Sequence, residues 1–334
     1  MAEIDFVLTY LDSNDPEWQK SRNAYRPDQN SDVNKNRYRD WDNLQYFFRS
    51  IEQYAPWVRK IHVVTCGHVP AWLNTAHPKV NIVRHEDYLP AKWLPTFSSR
   101  CIDMNLHRIK NLAEQFVYFN DDMFLTSPTT PEDFFRNGLP CDIAVLSPQA
   151  FKMTKGISMH IAPIIGAAVI NNHFDKNKVM KQNFGKWFTL KYGKEIFRTL
   201  TLGVYPHFIG FKNPHLPYSY LKSTYEIVWA KEPELLTQAS EHRFRNVTDL
   251  NHWIFTYWQL ASGQFAPRST SFGRCIQLHD LGDAKNVATL VTGHKYKVVC
   301  VNDAVFDDAD FDAIKKTVND AFASVFPEKS KYET

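Results

Sequence analysis

Short hydrophobic runs alternate with polar turns and helix-like segments through the first third of the chain. Residues 5–11, DFVLTYL, have the pattern of a buried strand, and the turn-rich DSNDP ends it. Further strand-like runs follow, namely KIHVVTCG, VNIVRHED and QFVYF. Leu44, Phe48 and Ile51 recur at helical spacing before the second strand, and Pro56 ends that helix. The alternation predicts an α/β fold with a mostly parallel, doubly wound sheet and helices on both faces.

Acidic and amide side chains follow two of these strands at the point where each strand ends. Asp12, Asn14 and Asp15 come after the first strand, and Asp121 and Asp122 come after QFVYF. In Rossmann-like and GT-A-like sheets, ligands bind at the carboxyl ends of the parallel strands. We therefore expect the two clusters to meet at one edge of the sheet and to form a site.

The pair Asp121 and Asp122 has two interpretations. Adjacent carboxylates repel each other unless a cation or hydrogen-bond donors neutralise them, and a solvated turn is the simpler arrangement. Mg²⁺, or Mn²⁺ in its place, is held by carboxylate oxygens together with substrate phosphates. The late strand-like run KYKVVCVND also ends on two polar residues, Asn302 and Asp303. This repetition favours a metal site built from several loops, with the solvated turn as the alternative.

The second half of the chain has a mainly helical pattern. Helices are predicted for YSYLKSTYEIVWAK, for TDLNHWIFTYWQLASG with Thr248 as its cap, and for the earlier segment SSRCIDMNLHRIKNL. A terminal amphipathic helix begins at Phe311, and the polar residues 22–40 predict a long loop. Because the chain has no internal repeat or linker, we expect one domain with an α/β part, residues 1–150, and a helical part, residues 151–334.

A second concentration of chemistry-bearing residues follows in the helical part. His215 lies between Pro214 and Pro217, a rigid setting. A lone histidine is usually structural, but a fixed imidazole can take a proton from an attacking hydroxyl. Arg243 and Arg245 suit a phosphate clamp or, alternatively, an exposed basic loop. The chain has 12 glycines and no glycine-rich phosphate-binding motif, so side chains and metal must hold any phosphate.

Charge and composition exclude several classes of protein. A net charge of +3 with a pI near 8.4 is too small for a nucleic-acid surface and suits anionic small substrates. The cysteines are scattered without a CxxC motif, which indicates a reducing compartment. The sequence shows no basic leader and no apolar span of about 18 residues. We expect a cytoplasmic protein, or one peripheral to the inner face of the membrane.

Taken in order, the motifs resemble the Stealth family. Its members transfer a sugar-1-phosphate from a nucleotide sugar to a hydroxyl, and they include bacterial capsule phosphotransferases and the catalytic chain of the animal N-acetylglucosamine-1-phosphotransferase. The four family blocks resemble IDFVLTYLDSNDPEW, then RYRDWDNLQYFFRSIEQYAPWVRKIHVVTCGHVPAWLN through FVYFNDDMFL, then GAAVINN through HRFRNVTDL, and finally YKVVCVNDA. The resemblance covers nearly the whole chain, and its second block is the most specific.

The resemblance implies a metal site at the donor. Asp121 and Asp122 match the family's Asn-Asp-Asp, which is expected to bind Mg²⁺ at the donor diphosphate. Asn302 and Asp303 match the Asn-Asp of the last block and imply a further part of that site.

The resemblance also implies catalytic and substrate-binding positions. His215 matches the histidine of the His-x-Pro motif and is the expected general base, and Arg245 matches an arginine expected to contact phosphate. Tyr218 replaces a second histidine of the animal members, so that position is not a required base here. The expected substrate-binding residues are Asp12, Asn14, Asp15, Arg39, Asp40, Ser98, Ser99, His107, Arg108, Asn172 and Lys222.

The implied reaction moves a hexose-1-phosphate, such as N-acetylhexosamine-1-phosphate, from a UDP-sugar to a sugar hydroxyl. UMP leaves and a phosphodiester forms. Residues 1–150 would hold the nucleotide sugar, and residues 151–334 would hold the acceptor, an oligo- or polysaccharide that includes lipid-linked forms. The nearest alternative is a metal-dependent GT-A-type glycosyltransferase that releases UDP, and a second is a non-catalytic carbohydrate-binding protein. The sequence leaves the sugar, the acceptor and the oligomeric state open.

Overall fold

The computed structural model describes residues 3–25, 39–151, 158–304 and 308–334. Its strands are β1 (Ile4–Thr9), β2 (Ile61–Thr65), β3 (Val80–Arg84), β4 (Gln115–Asn120), β5 (Met123–Leu125), β6 (Phe135–Arg136), β7 (Leu139–Asp142), β8 (Tyr218–Leu221), β9 (Ala266–Pro267), β10 (Gly273–Leu278) and β11 (Val298–Asp303). Its helices are α1 (Pro16–Tyr25), α2 (Leu44–Tyr54), α3 (Ser99–Asp103), α4 (Ser158–His173), α5 (Lys176–Gln182), α6 (Phe184–Trp187), α7 (Glu195–Leu202), α8 (Lys222–Lys231), α9 (Pro233–Glu241), α10 (Trp253–Ala261), α11 (Leu281–Thr292) and α12 (Phe311–Val325). Among these described segments, none is both long and apolar enough to cross a lipid bilayer.

The largest sheet has five strands in the order β3-β2-β1-β4-β8. Its first four strands are parallel, and β8 runs antiparallel to β4 at one edge. Parallel neighbours need crossover connections, which α2 and the segment containing α3 supply. The predicted α/β fold with a mostly parallel sheet is confirmed.

The chain leaves this sheet through a link of two residues. β4 ends at Asn120 and β5 begins at Met123, so Asp121 and Asp122 alone connect the two strands. β5 belongs to a second sheet, in the order β10-β11-β5, where it runs antiparallel to β11. Because Asn120 pairs with Thr9, the link begins at the carboxyl end of two parallel strands. The two acids therefore lie between the two sheets.

Both sheets combine strands from the two predicted parts of the chain. β8 extends the largest sheet beside β4, and β5 pairs with β11. A small third sheet, in the order β6-β7-β9, joins segments from both parts as well. The division into residues 1–150 and residues 151–334 stays a prediction, but the hydrogen bonding crosses it repeatedly.

The buried strand β1 carries one acid, Asp5, whose side chain is fully enclosed. Arg59 Nε donates to Asp5 Oδ1 at 2.8 Å, His62 Nε2 lies 3.0 Å from Oδ2, and the amide of Ala113 donates at 2.8 Å. Burial alone would raise the pKa of Asp5, but these partners outweigh it and lower the pKa. The acid thereby ties β1 to the residues that precede β2 and β4.

The predicted helix over SSRCIDMNLHRIKNL is wrong in extent. α3 ends at Asp103, and a separate 3₁₀ turn covers Leu106–Arg108. Asn105 separates them, because its side-chain Nδ2 donates to the carbonyl of Cys101 at 2.8 Å and to Ser240 Oγ at 3.1 Å. The side chain thus occupies the carbonyl that the next helical amide would use.

Two later helices also begin further along the chain than predicted. YSYL forms β8 rather than the first turn of a helix, and α10 begins at Trp253 rather than after Thr248. Asp249 Oδ2 accepts a hydrogen bond from the amide of Asn246 at 2.7 Å, and Arg100 Nη1 donates to the carbonyl of Asp249 at 3.0 Å. These side-chain bonds hold the intervening residues in turns.

Other predicted elements are confirmed. The helix before Pro56, the late strand and the terminal helix are α2, β11 and α12. The predicted loop over residues 22–40 lies mainly outside the described residues, and its first residues form the end of α1 instead.

Candidate active site

Asp122 and His215 are in contact beside the link between the sheets. His215 Nε2 lies 3.1 Å from Asp122 Oδ2, and the two side chains are 25% and 23% exposed. Asn120 Nδ2 lies 3.5 Å from the same ring nitrogen, and Cys300 Sγ donates to Asp122 Oδ2 at 3.4 Å. The amide of Val301 donates to the carbonyl of Asp122 at 2.8 Å. The end of β4, the middle of β11 and the segment before β8 therefore build one cluster.

Backbone contacts fix the segment that carries His215. The amide of Ser147 donates to the carbonyl of Gly210 at 3.1 Å, and the amide of Lys212 donates to the carbonyl of Val145 at 2.9 Å. Gly210 has a φ of 131°, a conformation that side chains rarely adopt. His215 follows this two-bond attachment within a few residues, so the imidazole approaches Asp122 from an anchored segment.

The pKa values of Asp121 and His215 are both raised. Burial, and then the charge of Asp122, raise the pKa of Asp121 to about 7. The side chain of Asp121 is exposed at the cleft, and access to solvent there opposes the effect of burial on its pKa. Burial lowers the pKa of His215, but the charge and hydrogen bond of Asp122 outweigh it and raise the pKa to about 9.

The residues present fit a bound cation. Asp122 Oδ1 is buried and lacks a hydrogen-bond partner among the described residues. A carboxylate oxygen without a donor, beside a second acid of raised pKa, is the environment that a cation relieves. Ligand atoms of Asp122, His215 and Cys300 also lie within 4.8 Å of one another. Imidazole and thiol are not the ligands that Mg²⁺ prefers, so Asp121 and Asp122 are its better candidates here.

Arg245 lines the same cleft, of about 300 Å³, as Asp121 and His215. Its Nη2 donates to Ser99 Oγ at 2.6 Å, and Ser99 lines the cleft as well. Four residues predicted from widely separated motifs therefore share one cavity: Asp121, His215, Arg245 and Ser99. A guanidinium beside a cavity that also contains carboxylates can bind the oxygens of a phosphorylated ligand.

The predicted cluster after β1 forms a tight turn at the same sheet edge. The amide of Asp12 donates to His68 Nε2 at 2.6 Å, and Asp12 Oδ1 accepts from the amide of Asn14 at 2.9 Å. Asp15 Oδ1 accepts from the amide of Trp18 at 2.7 Å and so caps the start of α1. Asp15 also lines a second cavity, of about 660 Å³. The two cavities adjoin, since both are lined by Trp18, Cys66, His85, Thr96 and Phe97.

Asn302 and Asp303, the polar residues at the end of β11, lie at this sheet edge as well. Arg39 Nη1 lies 3.4 Å from Asp303 Oδ1, which joins two predicted site residues. The register of β11 with β5, continued by two residues, places Val301 and Asn302 opposite Asp122 and Asp121, and Asp303 comes directly after them. Asp40 is exposed, and its charge contributes to the raised pKa of Asp121. An acidic surface with one engaged arginine therefore borders the cleft.

Of the predicted substrate-binding residues, Ser99 lines the cleft and Asp15 lines the second cavity, while Asp12, Asn14, Arg39 and Asp40 lie at the same sheet edge without lining either. A further five do not line the cleft: Ser98, His107, Arg108, Asn172 and Lys222. The amide of Lys222 donates to the carbonyl of Glu114, so Lys222 lies where β4 begins, at the sheet edge away from Asp121. Asn172 lies near the end of α4, roughly 20 Å of helix from Met159 in the cleft.

The other three do not line the cleft either. His107 is buried, and burial lowers its pKa to about 3. Arg108 Nε donates to Asn105 Oδ1 at 2.8 Å, and its guanidinium lies 4.8 Å from the ring of Trp229. The side chain of Ser98 is buried at the start of α3. These positions favour packing roles.

The cleft contains residues that the sequence did not indicate. Asp103 lies in its lining and accepts a hydrogen bond from the hydroxyl of Tyr118 at 2.8 Å. Burial raises the pKa of Asp103 to about 7, although Tyr118, Arg245 and Arg100 oppose this shift. Asn120 could have been found from its place directly before the acid pair. Asp103 gave no such signal, because it lies within a segment predicted as an ordinary helix.

Comparison with known proteins identifies relatives along the whole chain. Residues 37–141 match the family described as Stealth protein CR2, conserved region 2. Capsular polysaccharide phosphotransferase WcwK of Streptococcus pneumoniae is 40% identical over 338 residues, which cover 100% of this chain and 98% of that protein. Receptor polysaccharide phosphotransferase WefC of Streptococcus gordonii is 36% identical, with 100% and 99% covered. Exopolysaccharide phosphotransferase cps2G of Lactiplantibacillus plantarum is 35% identical, with 99% and 96% covered.

A solved structure of galactosyltransferase LgtC in complex with donor and acceptor sugar analogs aligns with 96% of this chain and 95% of that one. The TM-score is 0.42 and the identity is 9%, a likeness too low to argue from. The sequence relatives are decisive instead, because their identity of 35% to 40% extends over nearly the full length of each protein. The chain belongs to the Stealth family of phosphotransferases.

Proposed function

We propose that the protein transfers a hexose-1-phosphate, such as N-acetylhexosamine-1-phosphate, from a UDP-sugar to a hydroxyl of a capsular or other cell-surface polysaccharide. The products are UMP and a phosphodiester. The observation that carries the proposal is the contact of His215 with Asp122 beside a cleft that Arg245 also lines. The names of the relatives, which are capsular, receptor and exopolysaccharide phosphotransferases, support the acceptor class.

In this proposal His215 Nε2 takes the proton of the acceptor hydroxyl. The hydroxyl oxygen then attacks the phosphorus attached to the sugar, and the bond from that phosphorus to the bridging oxygen breaks. UMP leaves with the bridging oxygen and its electron pair. Arg245 donates hydrogen bonds to the phosphate oxygens, on which negative charge accumulates as the bonds change. The bond between the sugar C1 and its oxygen stays intact, so the anomeric configuration is retained.

The role of base requires an unprotonated imidazole. Near Asp122 alone, His215 keeps its proton at neutral pH, because the carboxylate raises its pKa to about 9. When the charge of Asp122 is engaged by a cation instead, this stabilisation of the imidazolium weakens and its pKa falls towards neutrality. The base and the cation site are thus coupled through one carboxylate.

The cofactor in this proposal is Mg²⁺, with Mn²⁺ as a substitute. Asp121 and Asp122 would hold it, with Asn302 and Asp303 at the margin of the site. When bound, the ion neutralises charge on the donor diphosphate. The protein supplies the positions of these oxygens, and the two-residue link fixes them between the sheets.

The two adjoining cavities suggest where the substrates bind. The nucleotide sugar is assigned to the edge formed by Asp12, Asn14 and Asp15, with its diphosphate towards Asp121. Ser99 positions Arg245, and Arg39 and Asp40 border the metal side. The acceptor, an oligo- or polysaccharide that includes lipid-linked forms, enters the cleft at His215. A lipid-linked acceptor would place the protein at the inner face of the membrane.

The decisive experiment identifies the nucleotide that is released. Purified protein is incubated with a panel of UDP-sugars, Mg²⁺ and oligosaccharide acceptors, and UMP and UDP are separated by anion-exchange chromatography. The proposal predicts UMP in equal amount to the phosphodiester product. Release of UDP would instead indicate a glycosyltransferase of the GT-A type. A product whose anomeric configuration differs from that of the donor would contradict the proposed bond cleavage.

A further inference from the structure

An apolar surface is exposed on the segment from α6 to just beyond α7. Six large side chains there are half exposed or more, and we call them the apolar surface: Phe184, Leu190, Phe197, Leu200, Val204 and Tyr205. Leu190 is 92% exposed, Val204 81% and Phe197 70%. Single exposed apolar residues are ordinary, but a concentration within about 20 successive residues marks an interaction site.

The orientation of α7 explains why these side chains face outward. Its inner face is fixed by Ile196, which packs on the core, and by Thr199, whose hydroxyl accepts from the amide of Leu146 at 3.3 Å. Phe197 and Leu200 are three residues apart and therefore share the outer face. The outer face of a surface helix is normally polar. On α7 the outer face instead exposes Phe197 and Leu200 beside the polar Arg198 and Thr201.

The residues that follow α7 are held in place from beneath. Lys176 is buried, and its Nζ donates to the carbonyls of Gly203 and Tyr205. The carbonyl of Phe208 accepts from Asn171 Nδ2 at 2.8 Å, and its amide donates to Asn171 Oδ1 at the same distance. Val204 and Tyr205 are thus presented by a fixed turn.

Positive charge surrounds the apolar surface. The exposed cations of α5, α7 and the residues between them are Lys178, Lys181, Lys191, Lys194 and Arg198. Against them the same residues contain one acid, Glu195, which pairs with Lys212 at 2.8 Å and with Arg198 at 3.5 Å. The segment therefore combines exposed aromatic and aliphatic side chains with a clear excess of positive charge.

We propose that the apolar surface docks onto a membrane face rich in anionic phospholipid. Phe197, Leu200 and their neighbours would enter the interfacial region, and the lysines would pair with lipid phosphates. Basic residues around exposed Phe, Tyr and Leu are typical of proteins that lie on anionic membranes. A second copy of the chain is a poorer partner. A two-fold interface would bring the same cations of both copies together, and like charges there destabilise association.

This docking would give the proposed reaction a location at the membrane, and that part of the inference rests on the proposed function. α4 connects the two regions: Met159 near its start lines the cleft, and Asn171 near its end bonds to the segment beside Tyr205. About 20 Å of helix separates them. A protein docked by the apolar surface would hold its cleft within reach of the head group of a lipid-linked acceptor.

Vesicle binding tests the docking without any turnover. The full chain is sedimented at about 0.1 M salt with vesicles of phosphatidylcholine alone and with vesicles containing about 30% phosphatidylglycerol. We expect binding to the anionic vesicles and at least about tenfold weaker binding to the neutral ones. The double variant Phe197→Ser/Leu200→Ser should lower the affinity for anionic vesicles about tenfold or more. Lys178→Gln/Lys181→Gln/Lys194→Gln should lower it as well and make it less sensitive to salt.

The matched control changes exposed apolar residues elsewhere. Ile227 and Leu235 are 48% and 36% exposed on α8 and α9. Ile227→Ser/Leu235→Ser should bind vesicles as the unchanged protein does. The proposal would be overturned if this control lost as much vesicle affinity as Phe197→Ser/Leu200→Ser does. It would also be overturned if the unchanged protein did not bind anionic vesicles. A dimer in sedimentation velocity that Phe197→Ser/Leu200→Ser dissociates would assign the surface to a second copy instead.

A parallel assay separates the two proposals. Phe197→Ser/Leu200→Ser should release UMP with a water-soluble oligosaccharide acceptor at the rate of the unchanged protein. If neither protein releases UMP while vesicle binding depends on the apolar surface, the docking stands and the proposed reaction fails. If UMP release is normal and vesicle binding is absent, the proposed reaction stands and the docking fails.

Discussion

Asp122 has contacts that connect two functions at the scale of single residues. One of its oxygens meets His215 Nε2 and Cys300 Sγ, and the other is buried without a partner among the described residues. A carboxylate arranged in this way can serve a cation and a base together. The individual roles are therefore best separated by changing the imidazole and the acids independently.

Replacing His215 with Ala should remove the general base and leave binding of the nucleotide-sugar donor unchanged. We expect the rate of UMP release to fall at least about 100-fold, because positioned general bases contribute about 10²–10⁴-fold. The dissociation constant for a non-reactive UDP-sugar analogue, measured by calorimetry, should change little. His207→Ala is the control, because His207 is an exposed histidine of the same segment. Turnover close to normal in His215→Ala would remove this residue from the base role.

Replacing Asp121 or Asp122 with Asn should act on metal-dependent binding. Loss of a ligand or its immediate partner typically lowers metal affinity about 10–100-fold. We expect titrations of the UDP-sugar analogue to show weaker binding in the presence of Mg²⁺ and little change in its absence. Asp312→Asn, on the exposed side of α12, should behave like the unchanged protein. If both variants keep the normal dependence on Mg²⁺, these acids are not the metal ligands.

At the scale of elements, β1 depends on the ionised form of Asp5. The partners of Asp5 hold its pKa below the ordinary value of 3.8, so its contribution to stability is present above pH 3.8 and is lost as the pH falls through the lowered value. Asp5→Asn should reduce the free energy of unfolding by about 3–5 kcal/mol at pH 7, because Arg59 loses its buried partner. Urea unfolding at pH 7 and at a series of pH values down to about 2.5 should show this difference shrinking below pH 3.8. A difference that is constant with pH would contradict the assignment.

The two-bond attachment before His215, between residues 145–147 and 210–212, depends on Gly210. A Cβ at Gly210 would lie 2.6 Å from the carbonyl oxygen of Ser147, and the φ of 131° disfavours any side chain. Gly210→Ala should therefore cost about 1–3 kcal/mol of stability in urea unfolding. It should also lower UMP release, because the segment carrying His215 shifts. Gly185→Ala is the control: nothing lies within 4 Å of its added Cβ, and its helical position should tolerate alanine.

The elements differ in how far the sequence predicts them. The strands β1, β2, β4 and β11 follow from hydrophobic runs, because a strand that is largely buried on both faces leaves few alternatives. The edge strand β3 is only partly buried, yet its run VNIVR predicts it as well. The helix predicted after Ser98 ends early, at Asp103, because the side chain of Asn105 donates to the carbonyl of Cys101. α10 starts late because Asp249 and Arg100 hold turns through tertiary contacts. No local pattern contains these contacts.

The residues of the candidate site also differ in how far the sequence predicts their positions. Asp121, His215, Arg245 and Ser99 lie in one cleft, as the ordered motifs led us to expect. Lys222 and Asn172 lie elsewhere, because a position inside a motif does not reveal which end of a strand or helix it occupies. Asp103 lies in the cleft without a sequence signal, since only the fold brings α3 to that edge.

At the scale of the whole molecule, residues 332–334 contact α2 and the connection between β2 and β3. Arg49 of α2 binds Glu333 through two hydrogen bonds of 2.8 and 2.7 Å, and Tyr332 is buried beside Phe48. The amide of Thr334 donates to the carbonyl of Trp72 at 2.8 Å. Tyr332 is therefore part of the core, and the partly buried Glu333 and exposed Thr334 are attached beside it by hydrogen bonds.

Glu333→Gln should weaken this closure. Hydrogen bonds to charged groups contribute about 1.5–3 kcal/mol, and we expect a loss of that size in the free energy of unfolding. Glu328→Gln changes an exposed acid nearby and should shift stability by less than about 0.5 kcal/mol. Equal stability of the two variants in urea unfolding would show that the terminal contacts do not support the fold.

The link of Asp121 and Asp122 also limits how proteins of this kind can diverge. With β4 paired to β1 on one side and β5 paired to β11 on the other, the chain has no slack between the two sheets. One inserted residue would turn every side chain of β5 to the opposite face, because strand side chains alternate. Length changes among descendants should therefore accumulate in surface connections, while the spacing across these two acids is inherited unchanged.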